Sequence, residues 1–417
     1  MANGQQVIVI GGGVVGLASA WWLLEAGFRV TLLERAPTVG SAASYRNGGQ
    51  LSYRYVSPLA DVGVPKKVME WMFERDGPLR FRPEADYRQW RWIARFLKNC
   101  NAETNARVTA KMLQLSELSR ESLTHLELKL PLSRFNWRNA GKLVVYRSEE
   151  AFKAALDKPG VDDNRAVLWG ADTARIEPAL AQVASQLAGG IFNPGEAVAD
   201  CYAFCLALER RIVAHPRFER CMHTSARHIF VDRGRVSAIE TDAGWITADH
   251  YVLAAGIQSR DLAATANLDL PMYPLKGYSL TAPIGDEHAA PNISVTDFER
   301  KTLYARIGNE LRIAAMVDLV GENKRIDRRR IASMSRMARE TMPNAADYDK
   351  AEAWAGLRPA TPNGAPIIGP TPYPNLWLNV GHGGLGFTLA CGSASLLATL
   401  MRGKEAPFEL DFLAYKV

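Results

Sequence analysis

Residues 7–16 of the chain read VIVIGGGVVG. Four β-branched residues predict a short buried strand, and Gly11, Gly13 and Gly16 form a GxGxxG pattern directly after it. A helical pattern and a second apolar strand follow, and this strand ends on Glu34. Strand, glycine-rich turn, helix and second strand in this order predict the βαβ unit of a Rossmann-type domain.

This glycine-rich turn suits the pyrophosphate of a dinucleotide. Gly11 allows the tight turn, Gly13 lets the backbone approach the phosphates, and Gly16 lets the helix pack against the strand. The N-terminus of the helix adds partial positive charge. Glu34 is placed to accept hydrogen bonds from both hydroxyls of an adenosine ribose, which disfavours a 2′-phosphate. A plain structural turn is the weaker interpretation.

A second glycine-rich motif, GHGGLG at residues 381–386, follows a predicted strand. Only 31 residues remain after it, too few for a second nucleotide-binding domain. We interpret it as a group of backbone amides at the start of a helix near Phe387, suited to negative charge on a reduced flavin. A tight turn in the core is the alternative. One dinucleotide motif and one distal amide group favour bound FAD over exchangeable NAD.

Length and composition limit the class of protein. A chain of 417 residues exceeds what one ordinary core supports, so two domains are expected. Hydrophobic residues at 47% and charged residues at 23% are ordinary globular values, which excludes a disordered chain. Five cysteines without CxxC or Cys/His spacing predict neither disulfides nor a metal site and fit a reducing compartment. Residues 7–24 carry no charge, but glycines interrupt them, so a buried strand and helix are expected rather than a membrane span.

Strand and helix patterns continue along the chain. Strands are predicted at 142–146, 190–192, 236–240, 251–255, 311–315 and 376–380. A helix is expected from Cys201 to about Ala214 with Asp200 as its N-cap, and another over 334–342. The alternation predicts an α/β fold, and hairpin-like strands in the middle of the chain predict a second domain with a mixed sheet.

Several further segments carry a family resemblance. They are NGGQLS at 47–52, VPKKVMEWMF at 64–73, VLAAG at 252–256, YPLKGYS at 273–279 and GLRP at 356–359. In order, and over nearly the whole chain, the sequence resembles the FAD-dependent D-amino acid dehydrogenases and, more broadly, the D-amino acid oxidase and glycine oxidase superfamily. The runs at 64–73 and 273–279 are the most typical of the bacterial dehydrogenases.

The resemblance implies a Rossmann-type FAD-binding domain of the GR2 kind and an α+β substrate domain on a mixed or antiparallel sheet. The expected segments are 1–57, 195–266 and 350–417 for the FAD-binding domain, and 58–194 and 267–349 for the substrate domain. Two departures from the relatives are Arg46, where a smaller residue is usual, and the end of the chain at Val417. Arg46 is expected to alter its loop or touch the cofactor phosphates.

Motifs and resemblance together give a set of residues expected to contact FAD. They are Gly11, Gly13, Val14, Val15, Gly16, Glu34, Arg35, Ser44, Asn47, Gly48, Gln50, Leu51, Ala226, Ala254, Ala255, Gly256, Gly384, Leu385, Gly386, Phe387 and Thr388. Relatives with covalent flavin use a dedicated cysteine or histidine, whereas Cys391 is expected to be a core residue. The cofactor is therefore expected to be non-covalent FAD.

The resemblance also implies oxidative deamination of D-amino acids, with hydride transfer from Cα to flavin N5 and release of a 2-oxo acid and ammonia. Arg358 is expected to anchor the substrate carboxylate, because a guanidinium binds a carboxylate bidentately. Tyr278, Tyr53, Gln50 and His382 complete the expected catalytic set, with a structural role for His382 as an equal alternative. Three weaker candidates fit ordinary strand packing better: Tyr55, Tyr304 and Arg312. No obligatory general base is assigned, and a broad preference for small or neutral D-amino acids is expected.

Residues 64–98 carry nine basic and five acidic side chains among many aromatic ones, and so hold most of the net charge of +6. Such a segment suits peripheral attachment to an anionic membrane, with a core-packed helix as the alternative. Because the similar dehydrogenases pass electrons to quinone, a quinone or other non-oxygen acceptor is expected. The expected location is the cytoplasm, on the cytoplasmic face of the inner membrane, and no nucleic-acid partner is expected.

Two rival functions stay open on the sequence. One is another amine oxidation on the same scaffold, namely D-hydroxyproline or D-proline dehydrogenation, or oxygen-using oxidation of glycine, sarcosine or D-amino acids. The other is a nucleotide-binding or RNA-binding protein that holds FAD structurally, which the clustered arginines permit.

Overall fold

The computed structural model describes most of the chain: residues 4–66, 68, 77–157 and 164–416. The aromatic run at Trp71, Met72 and Phe73 lies outside the described residues. The helices described are α1 (Val14–Glu25), α2 (Tyr87–Asn99), α3 (Ala102–Glu127), α4 (Glu149–Leu156), α5 (Asp172–Ile176), α6 (Cys201–Val213), α7 (Ser259–Thr265), α8 (Arg328–Thr341) and α9 (Gly386–Met401). The strands described are β1 (Gln6–Ile10), β2 (Arg29–Leu33), β3 (Gln50–Leu51), β4 (Leu79–Phe81), β5 (Lys142–Tyr146), β6 (Ala166–Trp169), β7 (Gly189–Asn193), β8 (Ala197–Val198), β9 (Phe218–Cys221), β10 (Ala226–Asp232), β11 (Arg235–Thr241), β12 (Gly244–Ile246), β13 (His250–Leu253), β14 (Tyr273–Pro283), β15 (Ser294–Asp297), β16 (Thr302–Ile307), β17 (Glu310–Leu319), β18 (Glu352–Ala360), β19 (Ile367–Pro370) and β20 (Leu376–Val380).

The GxGxxG unit lies in a six-stranded sheet with the strand order β19-β20-β13-β1-β2-β9. The strands from β20 to β9 run parallel, and β19 joins β20 in the antiparallel direction. β1 and β2 are almost continuously buried and apolar, as parallel strands are when both faces of their sheet are covered. One face packs against α1, α3, α6 and α9, and the other packs against α7. The predicted Rossmann-type α/β fold is confirmed.

A nine-stranded sheet forms the second part of the molecule. Its order is β18-β14-β17-β16-β15-β5-β7-β6, with β4 paired to β17. Most neighbours are antiparallel, whereas β15 and β5, and β17 and β4, pair in parallel. Helix α8 packs on one face through Met334 and Ala338. The sheet is therefore mixed, as predicted.

The predicted local elements coincide closely with the observed ones. The six predicted strands correspond to β5, β7, β11, β13, β17 and β20. The carboxylate of Asp200 accepts the backbone N–H of Tyr202 (2.9 Å) and Ala203 (3.0 Å), so it caps α6 as expected. The helix expected over 334–342 begins earlier, because Asp327 caps it by accepting the N–H of Arg329 (2.9 Å).

The predicted domain boundaries need one correction. Strand β18 pairs with β14 along its whole length. Glu352 lies opposite Thr281 at one end, and Ala360 lies opposite Tyr273 at the other. Strand β18 therefore belongs to the nine-stranded sheet and not to the FAD-binding segment expected at 350–417. The reason is backbone pairing, which the pattern of one strand does not reveal. Helix α3 shows the reverse case. It belongs to the expected substrate segment 58–194, but it packs against α9 in the core of the first sheet.

One helical stretch in the described part of the chain, Gly383–Met401, is long and apolar enough by length and composition to span a membrane. Most of it is buried inside the protein. The uncharged stretch at 7–24 forms β1 and α1, which is the buried strand and helix that the sequence predicts.

Candidate active site

A cavity of about 2400 Å³ lies between the two large sheets. Its walls come from the glycine-rich turn, the loop at 41–50, the faces of β14 and β17 and the segment 381–388. A volume this size exceeds that of ordinary small-molecule pockets of about 300–1,000 Å³, so it can hold a large cofactor and a substrate together.

The first glycine motif has the geometry that close approach of a phosphate group requires. Gly11 has φ +112°, and a Cβ there would lie 2.6 Å from the carbonyl oxygen of Ala254. A Cβ on Gly16 would lie 1.8 Å from the carbonyl oxygen of Gly11, so only glycine lets α1 pack against the end of β1. Gly13 is the N-cap of α1 and lines the cavity.

Two side chains fix the surroundings of this turn. Glu34, at the end of β2, accepts the backbone N–H of Gly12 (2.6 Å) and of Ala36 (2.9 Å). Its carboxylate is thereby held at the cavity wall where a ribose would lie. Ser44 Oγ accepts the N–H of Val14 (3.0 Å) and so lies at the N-terminus of α1. Both residues line the cavity.

Most of the predicted cofactor and catalytic residues line this one cavity. They are Gly11, Gly13, Val14, Val15, Glu34, Arg35, Ser44, Asn47, Gly48, Gln50, Ala226, Ala254, Ala255, Gly256, Tyr278, Arg358, His382, Gly384, Leu385, Gly386, Phe387 and Thr388. Gly16, Leu51 and Tyr53 are not among the lining residues. Gly16 acts through helix packing, and Leu51 belongs to the buried core beneath the loop.

Arg358 lies directly over the backbone of β14. A Cβ on Gly277 would lie 2.3 Å from Arg358 Nη2, so the guanidinium occupies the space that this glycine leaves. Its Nη1 donates to the Met316 carbonyl oxygen (3.3 Å), and no carboxylate of the described residues forms an ion pair with it. Burial lowers the pKa of Arg358 below its ordinary value, but a guanidinium keeps its charge at neutral pH.

The two predicted tyrosines differ in position, because Tyr278 lines the cavity and Tyr53 does not. The Tyr278 hydroxyl donates to Asp318 Oδ2 (2.7 Å), and its ring packs in the core with Tyr304. Tyr53 is 5% exposed and packs against the core around α3, where its carbonyl oxygen accepts the Ser116 hydroxyl (2.6 Å). Tyr55 lines the cavity instead of Tyr53.

His382 is the second residue of the second glycine motif, where Gly381 (φ +82°) and Gly383 (φ +54°) permit the turn. It is 3% exposed, and its Nε2 has no hydrogen-bond partner within the described residues. Burial lowers the pKa of His382 to about 3, so the imidazole is neutral. Its Nε2 is therefore a buried polar atom beside the cavity whose partner is not supplied by the described polypeptide.

A family model described as FAD dependent oxidoreductase matches residues 6–400. The chain belongs to this family. It is 48% identical over 405 residues to D-amino acid dehydrogenase 2 of Pseudomonas aeruginosa, with 97% of this chain and 96% of the relative covered. It is 44% identical over 415 residues to D-amino acid dehydrogenase 2 of Ralstonia nicotianae, with 97% of each covered. The chain is thus an oxidoreductase.

Solved structures confirm the fold of this FAD dependent oxidoreductase. Glycine oxidase from Geobacillus kaustophilus superposes with a TM-score of 0.71 at 22% identity, over 99% of both chains. L-proline dehydrogenase from P. horikoshii superposes with a TM-score of 0.70 at 17% identity, over 98% of this chain and 96% of the other. At these identities the shared property is the fold.

FAD is the cofactor of this family, and the described residues of this oxidoreductase fit it. The turn at Gly11 and Gly13 would receive the pyrophosphate, and Glu34, which is fixed at the cavity wall, would accept hydrogen bonds from the ribose. Residues 383–388 line the same cavity, as does His382, whose Nε2 has no hydrogen-bond partner among the described residues. The thiol of Cys391 lies in the core, and burial raises its pKa to about 12, so it is a poor nucleophile.

The structure adds one buried residue that the sequence reading missed. Lys142, at the start of β5, is 3% exposed and lines the cavity. The sequence could have indicated this residue. Lys142 shares one face of the strand with Val144 and Tyr146, which are both apolar. A lysine in that series is an exception to the apolar pattern, and such exceptions in clefts indicate functional residues.

The basic segment is organised differently from the expectation. Where the structure describes it, several arginines form ion pairs with the protein itself: Arg80 with Asp318 and Asp327, Arg88 with Asp261, and Arg91 and Arg95 with Asp269. Trp92 is buried, and its Nε1 donates to the Ala360 carbonyl oxygen (2.8 Å). Helix α2 therefore packs on the protein through Trp92, and several of its arginines pair with aspartates of the same protein.

The positive charge concentrates at the cavity. Nine basic side chains line it: Arg35, Arg46, Arg54, Lys142, Arg165, Arg227, Lys301, Lys324 and Arg358. Three acidic ones line it: Glu34, Asp61 and Asp261. Arg46 forms an ion pair with Glu352, so it is tied to β18 at the rim. An excess of cations in a cleft attracts anionic ligands.

Proposed function

We propose that this FAD dependent oxidoreductase converts D-amino acids into 2-oxo acids and ammonia. The observation that carries the proposal is Arg358, a guanidinium that has no acidic partner among the described residues and that lines the cofactor cavity beside segment 383–388. The two relatives named above are D-amino acid dehydrogenases and are similar over nearly their whole length. FAD, when bound, supplies the acceptor of a hydride from the substrate Cα.

The chain's own residues then bind and orient the substrate. Arg358 holds the α-carboxylate through paired hydrogen bonds, which fixes the position of Cα. Gly277 is required beneath it, because any side chain there would displace the guanidinium. His382 remains neutral at working pH and can act only as a hydrogen-bond donor or acceptor. No side chain is assigned as the base, so the amine has to reach the neutral form by losing its proton to water.

The deciding experiment is anaerobic mixing of the FAD-loaded enzyme with amino acids, followed by the loss of flavin absorbance. D-alanine and D-proline are expected to bleach the flavin, and their L-forms are not. Bleaching should accelerate with rising pH as the bound amine deprotonates. An enzyme bleached by L-alanine or by neither form contradicts the proposal, and bleaching by D-proline alone moves it to the related amine oxidations.

We also propose that electrons leave to a quinone or another non-oxygen acceptor, with α2 as the surface that approaches a membrane. Tyr87, Trp90 and Leu97 of α2 are 67%, 49% and 49% exposed. Exposed aromatic residues among arginines suit the headgroup layer of an anionic bilayer. The proposal predicts binding to vesicles containing anionic lipid, loss of binding in Trp90→Ala, and reduction of a soluble quinone analogue faster than oxygen. Wild-type protein that stays in the supernatant with anionic vesicles contradicts the membrane contact.

A further inference from the structure

One cation in the active-site cavity is buried and surrounded by neutral groups. The Nζ of Lys142 donates to Gln50 Oε1 (2.8 Å) and to Ser52 Oγ (3.0 Å). It also lies 4.2 Å from the centre of the Tyr55 ring. None of these partners carries a negative charge. The hydrogen bonds of the ammonium group are therefore made to neutral dipoles.

The acidic group whose charge reaches Lys142 is Glu196, and its oxygens are committed elsewhere. They accept the backbone N–H groups of Tyr53 (2.5 Å) and Arg54 (2.8 Å). Within the described part of the chain, no ion pair joins Lys142 to Glu196. Burial lowers the pKa of Lys142 to about 8, which still leaves the amine protonated at neutral pH.

A buried ammonium group without a counter-ion destabilises a folded protein. An aliphatic side chain at this position of β5 would continue the apolar face formed by Val144 and Tyr146 without that cost. The charge of Lys142 therefore needs a compensating gain. Since the group lies at the wall of the cavity, an anion that enters with the substrate can supply it.

The short segment 384–388 links Lys142 to the proposed carboxylate anchor. At its start, a Cβ on Gly384 would lie 3.8 Å from Arg358 Cδ, so the arginine packs alongside. At its end, Thr388 Oγ1 donates to the Gln50 carbonyl oxygen (3.4 Å) and accepts the backbone N–H of Ser52 (3.2 Å). The side chains of Gln50 and Ser52 are the ones that accept hydrogen bonds from Lys142. The two cations thus lie at the two ends of one helical turn, within a single cavity.

We propose that Lys142 binds the side-chain carboxylate of the substrate, so that the enzyme prefers D-amino acids with an acidic side chain, D-glutamate and D-aspartate. The inference rests on the proposed function and gives it a substrate class. Arg358 holds the α-carboxylate, and Lys142 holds the second carboxylate with the Ser52 hydroxyl as a further donor. The general preference for small or neutral D-amino acids expected from the family resemblance is replaced by a preference set by charge.

The test compares each acidic substrate with its isosteric amide. Anaerobic flavin reduction is measured with D-glutamate and D-glutamine in the wild type, in Lys142→Met and in Lys404→Met, an exposed lysine that does not line the cavity. In the wild type and the control, kcat/KM is expected to be at least about 10-fold higher for D-glutamate. Lys142→Met should lower the D-glutamate value about 10- to 100-fold and change the D-glutamine value less than about 3-fold.

The outcomes separate this inference from the proposed function. If D-alanine and D-glutamine reduce the flavin but D-glutamate is no better in the wild type, the acidic preference is wrong and the proposed function stands. If Lys142→Met slows D-glutamine as strongly as D-glutamate, Lys142 acts on the loop and not on the side-chain carboxylate. If no D-amino acid reduces the flavin, the proposed function fails first.

A binding measurement on the FAD-loaded enzyme covers the case of an inactive variant. Glutarate carries two carboxylates and no amine, and pentanoate has the same chain length with one carboxylate. Perturbation of the flavin spectrum should give a Kd for glutarate at least about 10-fold below that for pentanoate. Lys142→Met should abolish the difference, and Lys142→Arg should retain part of it. Equal affinities in the wild type overturn the proposal.

Discussion

At the scale of single residues, Arg358 and His382 show how burial prepares a group for one task. Arg358 is positioned by the absence of a side chain at Gly277 and by a backbone carbonyl, so its charge stays available. His382 has the opposite property, because burial holds its imidazole neutral. One group can thus supply permanent charge beside the substrate, while the other supplies a dipole that does not respond to ordinary changes of pH.

Replacing Arg358 by lysine keeps the charge but removes the bidentate geometry. We expect kcat/KM for D-alanine to fall about 100- to 1,000-fold, since at least one charge-assisted hydrogen bond is lost and Cα is misplaced. Stopped-flow reduction of the flavin measures this, with Arg402→Lys beyond the end of α9 as a control that should match the wild type. A fall of less than about threefold would exclude Arg358 as the anchor.

The pKa of His382 predicts how acid affects stability. In the unfolded chain this histidine binds a proton below about pH 6.5, whereas in the folded chain it does so only near pH 3. The unfolded state therefore binds more protons between these values, and stability falls as the pH falls through this window. At pH 5 the loss is about 2 kcal/mol relative to pH 7. The melting temperature should fall less between pH 7 and pH 5 in His382→Gln than in the wild type. An equal fall in both proteins would contradict the prediction.

At the scale of secondary-structure elements, the periodic patterns of the sequence predict most of what positions the site. The βαβ unit, the capped α6 and strand β20 before the second glycine motif all depend on neighbours in sequence, so local rules suffice. Tyr53 shows where these rules stop, because its side chain lies in the core around α3 and not on the cavity wall. Which face of a strand or extended loop meets the cavity depends on the pairing of β14 with β17 and β18, a contact between residues distant in sequence.

The packing of α9 against α3 supports the segment that carries the active-site amides. Gly392 lies at this contact, where a Cβ would be 2.6 Å from Ser119 N and 2.7 Å from the Leu115 carbonyl oxygen. Gly392→Ala must therefore separate the helices, although alanine is the better helix former. We expect a destabilisation of about 2–4 kcal/mol, seen as a lower melting temperature and faster FAD release on dilution. Ser395→Ala on the same helix, which adds no atoms, should leave both unchanged, and a stabilised Gly392→Ala variant would show that the helices do not approach so closely.

At the scale of the whole molecule, the net charge of +6 acquires a location. The sequence places most of it in the aromatic segment 64–98, yet the described arginines of that segment are largely paired with aspartates of the same protein. Nine cations and three acids drawn from segments distant in sequence line the cavity, and Arg46, Arg54 and Arg227 among them pair with Glu352, Glu117 and Asp242. Such a sum cannot be computed before the fold is known. It directs the field of the protein towards the cofactor and substrate entrance.

This field predicts how fast the apoenzyme takes up its cofactor. FAD carries two negative charges on its pyrophosphate, so attraction by the cavity should raise its association rate at low ionic strength. Between about 20 mM and 500 mM NaCl the Debye length falls from about 20 Å to about 4 Å, and the rate constant should fall by roughly tenfold. Riboflavin, which has the same ring system and no phosphate, is the matched control and should show little dependence on salt. Quenching of flavin fluorescence after rapid mixing measures both. Parallel salt dependence of the two ligands would mean that the cations of the cavity are neutralised within the folded protein and that the excess charge acts elsewhere on its surface.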